Sequence, residues 1–173
     1  MTHKPKIGIS LRVVQAPNYD EKRDALSQDW SSLLEELGFI PVFIPNTLGS
    51  LENFLEEISL DGLVLSGGDN IGENQGRDET ENKLLMYAIE KKIPVIGVCR
   101  GMQLINAYFG GKLSIDDSTI HLAKKHNIEI TDTNFSSLFK SSSFHVNTYH
   151  KNMIRTEGMG DGLKSFAIFS KDN

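Results

Sequence analysis

A chain of 173 residues, 39% hydrophobic and 24% charged, has enough apolar material for one globular core. Its formal net charge of −5, with lysines and arginines scattered along the chain, argues against nucleic acid as a partner. The single cysteine excludes an internal disulfide framework and a cysteine-based metal site. No stretch approaches the roughly 20 apolar residues that span a bilayer. The opening Met1-Thr-His-Lys-Pro-Lys6 also lacks a signal peptide's apolar region. The expected place is therefore the cytoplasm, off the membrane, where a thiol stays reduced.

In chain order, Lys6 to Val13 reads as a first strand, followed by a loop with Pro17 and Asn18. Tyr19 to Trp30 leads into Ser31–Leu37, and Leu26, Trp30, Leu33, Leu34 and Leu37 recur at the spacing of a helix packed on a sheet. Gly38 stops that helix. Phe39 to Pro45 is a strand with prolines near both ends, hence near the sheet edge. Leu51–Ile58 is a short helix, and Asp61 to Gly68 is a strand running into a Gly-Gly turn. Glu79–Lys92 is a helix with Leu84, Leu85, Ala88 and Ile89 inward.

Ile93 to Val98 is short and β-branched, which suits a strand buried on both faces. The helix after it ends near Gly110-Gly111. Such alternation predicts an α/β fold, a doubly wound and mostly parallel sheet with helices on both faces. After Gly111 the pattern changes. Lys112–Ile130 and Ser143–Ile154 read as shorter strands of a small antiparallel extension, and Leu163–Ser170 as the last strand. With no repeat or linker, one domain over residues 1–173 is expected.

The chain is organised around Gly97-Val-Cys99-Arg-Gly101. Glycines two residues either side of Cys99 let a strand turn sharply into a helix, holding the central side chain out in a strained conformation. A thiol there sits at a helix N-terminus, where backbone N–H groups favour an anion. Cys99 is therefore the candidate nucleophile, against the plainer reading of a structural cysteine in a strand–helix loop. Ser66-Gly67-Gly68-Asp69-Asn70 closes a neighbouring strand. Its glycines either make a tight turn or bring an N–H up to a ligand; paired with the Arg100 N–H, that group would form an oxyanion hole. The Lys-Ser/Thr ending of a phosphate-binding loop is absent.

A proton acceptor for the thiol must come from His3, His121, His126, His145 or His150. His150, in Asn147-Thr-Tyr-His150, has the most site-like company, although a histidine at a polar strand end is also at home as a solvated or structural one. Arg12, Arg23 and Arg77 could meet substrate phosphates or simply form surface ion pairs. No spacing implies a metal or organic cofactor.

Gly97-Val-Cys99-Arg-Gly-Met-Gln103, after Leu65-Ser-Gly-Gly68 and before Asn147-Thr-Tyr-His150, resembles the class I glutamine amidotransferases. The branch it resembles is that of the γ-glutamyl hydrolases (peptidase C26), with their Cys-Arg-Gly-x-Gln hallmark. The resemblance covers essentially the whole chain and implies the flavodoxin-like glutamine amidotransferase fold. It also implies a hydrolase of a small γ-glutamyl amide, working through a γ-glutamyl thioester on Cys99 and releasing glutamate. Gly68 and Arg100 match the oxyanion hole, and Gln103 matches a contact to the glutamyl group. Asn70, Arg77, Tyr149 and His150 match the pocket wall.

The stretches Tyr19–Trp30, Arg77-Asp-Glu-Thr-Glu81 and Phe169–Asn173 narrow the likeness. They resemble short hydrolases of bacterial capsule phosphoramidate synthesis, which cleave γ-glutamyl-CDP-amidate. In the family the catalytic His and Glu lie as His-x-Glu on a strand near the C-terminus, and no such pair occurs in these 173 residues. The expectation is a chain lacking its C-terminal strand and helix. Two alternatives stand beside the hydrolase: a glutaminase subunit supplying ammonia to a partner synthetase, and a catalytically inactive binding relative. Nothing in the sequence specifies an oligomeric state.

Overall fold

Short β-branched and leucine-rich runs separated by amphipathic stretches become β/α units in the computed structural model, which describes residues 4–115 and 122–169. The elements run β1 (Lys6–Ser10), β2 (Arg12–Gln15), β3 (Lys22–Ala25), α1 (Gln28–Glu36), β4 (Ile40–Ile44), α2 (Leu51–Ile58), β5 (Gly62–Leu65), α3 (Gln75–Lys91), β6 (Val95–Gly97) and α4 (Arg100–Tyr108). They continue with β7 (Ser114–Ile115), β8 (Leu122–Ile130), α5 (Thr133–Phe139), β9 (Ser143–Tyr149), β10 (Asn152–Met153), a 3-10 turn at Thr156–Gly158 and β11 (Ala167–Ile168). The chain divides into two units, Met1–Ile105 and Asn106–Asn173. Among the described residues no helix is long and apolar enough to cross a membrane.

The first unit is built on a parallel sheet of order β4-β1-β5-β6, as the alternating pattern predicts. Its core joins Ile44, Leu63 and Leu65 of the strands to Leu51 and Leu55 of α2, Leu84, Leu85 and Ala88 of α3, and Leu104 of α4. Burying each of these larger aliphatic side chains contributes about 1.5–3 kcal/mol. Caps set the helix starts: the Ser27 hydroxyl accepts from the Asp29 N–H, and the Asn74 amide oxygen accepts from the Arg77 N–H. The order brings the carboxyl ends of β1, β5 and β6 side by side, where ligands gather in such sheets.

The second unit is antiparallel. Its three-stranded sheet has the order β11-β8-β9, and a two-stranded ribbon pairs β7 with β10. The buried Asn106 amide donates to the Gly158 carbonyl (3.0 Å) and accepts from the Gly160 N–H (2.8 Å). The Asp132 carboxylate caps α5 by accepting from the Asn134 and Phe135 N–H groups, and Phe135 stacks on Phe166 at 4.4 Å.

Several expectations are corrected. The first strand breaks after Ser10, and Arg12–Ala25 forms a β-hairpin in which Val13 pairs with Asp24, so Lys22–Ala25, within the stretch read as leading into a helix, is strand. Of the proposed inward stripe only Leu34 is buried, while Leu33 and Leu37 are exposed; α1 is just 9 residues long, too short to bury so wide a face. Ile89 is exposed as well, and α3 begins at Gln75 rather than Glu79. β6 is not buried on both faces. It is the outer strand of its sheet, and Ile96 is 63% exposed. β4 does lie at the opposite edge, as its prolines suggest. α5 was not foreseen. The expected last strand reduces to Ala167–Ile168 among the described residues, with Ser170 outside them.

Candidate functional site

At the end of β6 the chain turns into α4 with Cys99 at φ +53°, a left-handed conformation that costs a non-glycine residue roughly 1–2 kcal/mol. The Cys99 carbonyl accepts the Gln103 N–H at 3.1 Å, so Cys99 stands where the helix begins. Both flanking glycines are sterically required. A Cβ at Gly97 would lie 2.6 Å from the Gly101 carbonyl carbon and the Met102 nitrogen, and one at Gly101 would run into the backbone carbonyl of Leu65. The Val98 N–H donates to that same Leu65 carbonyl at 2.9 Å, tying the turn to β5. The Cys99 thiol is exposed.

The turn after β5 lies against this elbow: a Cβ on Gly67 would meet the Cys99 Cβ at 3.4 Å. Gly68 has φ +119°, which a side chain would strain. A buried guanidinium holds this turn from behind. Arg77 Nη2 donates to the carbonyls of Ser66 (3.1 Å) and Gly67 (3.0 Å), Nη1 donates to Asp69 (3.2 Å), and Nε donates to Glu81 (3.0 Å). Glu81 also accepts from Arg100 and from the Ser10 hydroxyl (2.7 Å), and Arg100 donates to Asp78 as well. Arg77 and Glu81 are 0% exposed and Arg100 is 1% exposed.

Burial lowers the pKa of both arginines, and the like charge of Arg77 lowers that of Arg100 further; a guanidinium starts high enough to stay charged at neutral pH. Burial works against ionisation of Asp69 too. It is outweighed by the Val13 N–H and the guanidiniums of Arg12 and Arg77, which together hold this carboxyl below its ordinary 3.8. A depressed carboxylate adds stability that is complete above the unfolded-state pKa and is lost as pH falls through the folded-state value. Asp69→Asn is therefore expected to be less stable than the parent near neutrality, with the gap closing below about pH 4. Urea midpoints across that range check this, and a gap independent of pH would contradict it.

The sequence-predicted residues divide between the two units. Cys99, Gly68, Arg100 and Gln103 lie in the first, with Gln103 buried on the first turns of α4. Asn70 is exposed beside them and donates to Glu73 through its amide (2.6 Å) and its N–H (2.9 Å). Arg77, expected at the pocket wall or on a phosphate, instead turns all three guanidinium nitrogens to groups of its own chain. Arg12 is half-exposed beside Gly68 and pairs with Asp69 at 3.2 Å, whereas Arg23 pairs with Glu21 and Tyr19 on the hairpin surface. Tyr149 and His150 belong to the second unit, Tyr149 at 70% exposure ending β9 and His150 directly after it. His145 bonds Asn127 at 2.8 Å. His3 and His121 fall outside the described residues.

Sequence reasoning missed Glu81, Asp78, Asp69 and Ser10 as parts of this assembly. A signal was present, since Arg77 and Glu81 stand at i and i+4 on one helix, but that spacing ordinarily marks a solvated surface pair.

The family model for Peptidase C26 matches residues 5–173. The gamma-glutamyl-CDP-amidate hydrolase of Campylobacter jejuni is 29% identical over 174 residues, 96% of this chain and 79% of that protein. A glutamine amidotransferase-like protein of Rickettsia prowazekii is 32% identical over 145 residues, 72% of this chain. The match spans about half of that relative's own length, 51%. The crystal structure of a glutamine amidotransferase from Thermotoga maritima superposes with a TM-score of 0.65 at 17% identity, covering 90% of this chain and 64% of the other. That last likeness is one of fold.

Proposed function

The chain belongs to the Peptidase C26 family, and from that premise we propose that it is a cysteine-dependent hydrolase of a small γ-glutamyl amide. The observation that carries the reading is the exposed thiol at φ +53°. Strain of this kind is kept where the surrounding structure over-determines it, and it collects at reactive centres.

In this reading the Cys99 thiol gives up its proton as Sγ bonds to the γ-carbonyl carbon, and the carbonyl oxygen takes the negative charge. The N–H groups of Gly68 and Arg100 receive that oxyanion. Its collapse breaks the C–N bond and expels the amine or amidate, which takes up a proton, leaving a γ-glutamyl thioester. Water then adds to the thioester, releasing glutamate and restoring the thiol. Gln103 contacts the glutamyl group, and Asn70 serves the pocket wall. Arg77 is reassigned from that wall to the support of the Gly67–Gly68 turn. The working compartment is a reducing cytoplasm, where an exposed thiol persists.

For the leaving group we favour a nucleotide amidate. Two things support this choice: the likeness to the Campylobacter jejuni protein, and the half-exposed Arg12 beside Gly68, whose fork suits a phosphate. The test is glutamate release from γ-glutamyl-CDP-amidate, glutamine and a simple γ-glutamyl amide. Release from γ-glutamyl compounds, fastest from the amidate, is the expected result. No release from any of them would overturn the reading.

A further inference from the structure

The buried charges around Glu81 form one connected assembly whose ends are both parts of the candidate site. Glu81 Oε1 accepts from Arg77 Nε at 3.0 Å and from the Ser10 hydroxyl at 2.7 Å, and Oε2 accepts from Arg100. Arg100 directly follows Cys99 and is the first residue of α4, so its side chain anchors the elbow to α3 through Glu81 and Asp78. On the other arm Arg77 Nη2 takes the Ser66 and Gly67 carbonyls. The described peptides are all trans, and in a trans peptide the N–H points opposite to the carbonyl. Drawing the Gly67 carbonyl toward Arg77 therefore turns the Gly68 N–H away from it. Ser10 closes the circuit: its hydroxyl accepts the Ser66 N–H at 2.9 Å, and its carbonyl accepts the Ser66 hydroxyl at 2.7 Å.

We propose that Glu81 is a positioning residue for the reaction: through Arg100 it fixes the Cys99 elbow, and through Arg77 it fixes the peptide planes of the Gly67–Gly68 turn. This rests on the reading of Cys99 and Gly68 given above. A fold staple alone would not need its contacts aimed at the residue after the thiol and at the carbonyls of the facing turn. Both Arg77 and Arg100 sit at 0–1% exposure, where removing the shared carboxylate leaves each buried guanidinium with a single acidic partner, Asp69 or Asp78. The isosteric Glu81→Gln is therefore the gentler probe. Its amide keeps the shape but presents N–H donors to a guanidinium, so at least one of the contacts is lost. Arg77→Lys tests the other arm, keeping the charge while losing the fork.

The expected result for both variants is a fall in kcat of about 10–100-fold per folded molecule, with KM within about threefold of the parent. Near-UV circular dichroism establishes the folded fraction. The rate at which iodoacetamide alkylates Cys99, the sole cysteine, should shift in the same variants by more than about threefold. Glu79→Gln, on the exposed side of α3, should leave all readouts at parental values. Variants that only lose stability, with kcat and alkylation rate of the folded protein unchanged, would reduce Glu81 to a staple and overturn the proposal. Should Glu81→Gln not fold, Arg77→Lys decides alone by the same readouts. If the parent hydrolyses no γ-glutamyl compound, the hydrolase reading fails by itself, while the alkylation rates still decide whether Glu81 sets how the thiol is presented.

Discussion

Cys99→Ser is expected to lower kcat/KM on γ-glutamyl substrates by about 10⁴-fold, close to 5.4 kcal/mol of transition-state stabilisation. The hydroxyl occupies nearly the same place but is a far weaker nucleophile than a thiol at neutral pH. Little else should change. Position 99 is exposed, and serine meets the same penalty at φ +53° as cysteine does, so the urea midpoint should stay within about 0.5 kcal/mol of the parent. Loss of turnover with stability preserved separates chemistry from folding. A variant retaining most of its turnover would show that the thiol is not the nucleophile.

Gly101→Ala is expected to destabilise the first unit by about 3 kcal/mol or more. Overpacking a tight site typically costs 1–3 kcal/mol when side chains can shift, but here the obstacle is main chain. The added methyl would overlap the Leu65 carbonyl and come within 2.6 Å of its carbon, and β5 lies between β1 and β6, held on both sides. The first turn of α4 must retreat instead. That retreat strains the 2.9 Å bond from the Val98 N–H to Leu65 and disturbs the Arg100 side chain buried behind it. Chemical denaturation measures the loss, and a parental midpoint would contradict the close approach at the elbow.

What could be read from the sequence was local. The glycine–cysteine–glycine spacing sets backbone conformation within five residues, so the elbow was legible, as were the Gly-Gly turn and the span Leu51–Ile58 of α2. Where long-range pairing decides, the reading weakened. Lys22–Ala25 carries charges that suit a helix as well as a strand, and only its pairing with β2 makes it extended. The apolar run of β6 predicts burial, yet an outer position leaves Ile96 open. The three acidic residues that compensate Arg77 and Arg100 come from the turn after β5 and from α3. Nothing in a linear pattern marks Glu81 as buried rather than solvated, because its burial depends on Arg100 and Ser10 arriving from separate elements to join Arg77 of its own helix. The reassignment of Arg77 from substrate contact to support of the turn is of the same kind.

Intact-mass spectrometry of the protein mixed with a γ-glutamyl substrate and quenched in acid tests the central claim most directly. The account predicts one γ-glutamyl adduct, localised by peptide mapping to Cys99, formed before glutamate appears and absent from Cys99→Ser. Glutamate released at a full rate with no adduct on Cys99, and equally by Cys99→Ser, would contradict it.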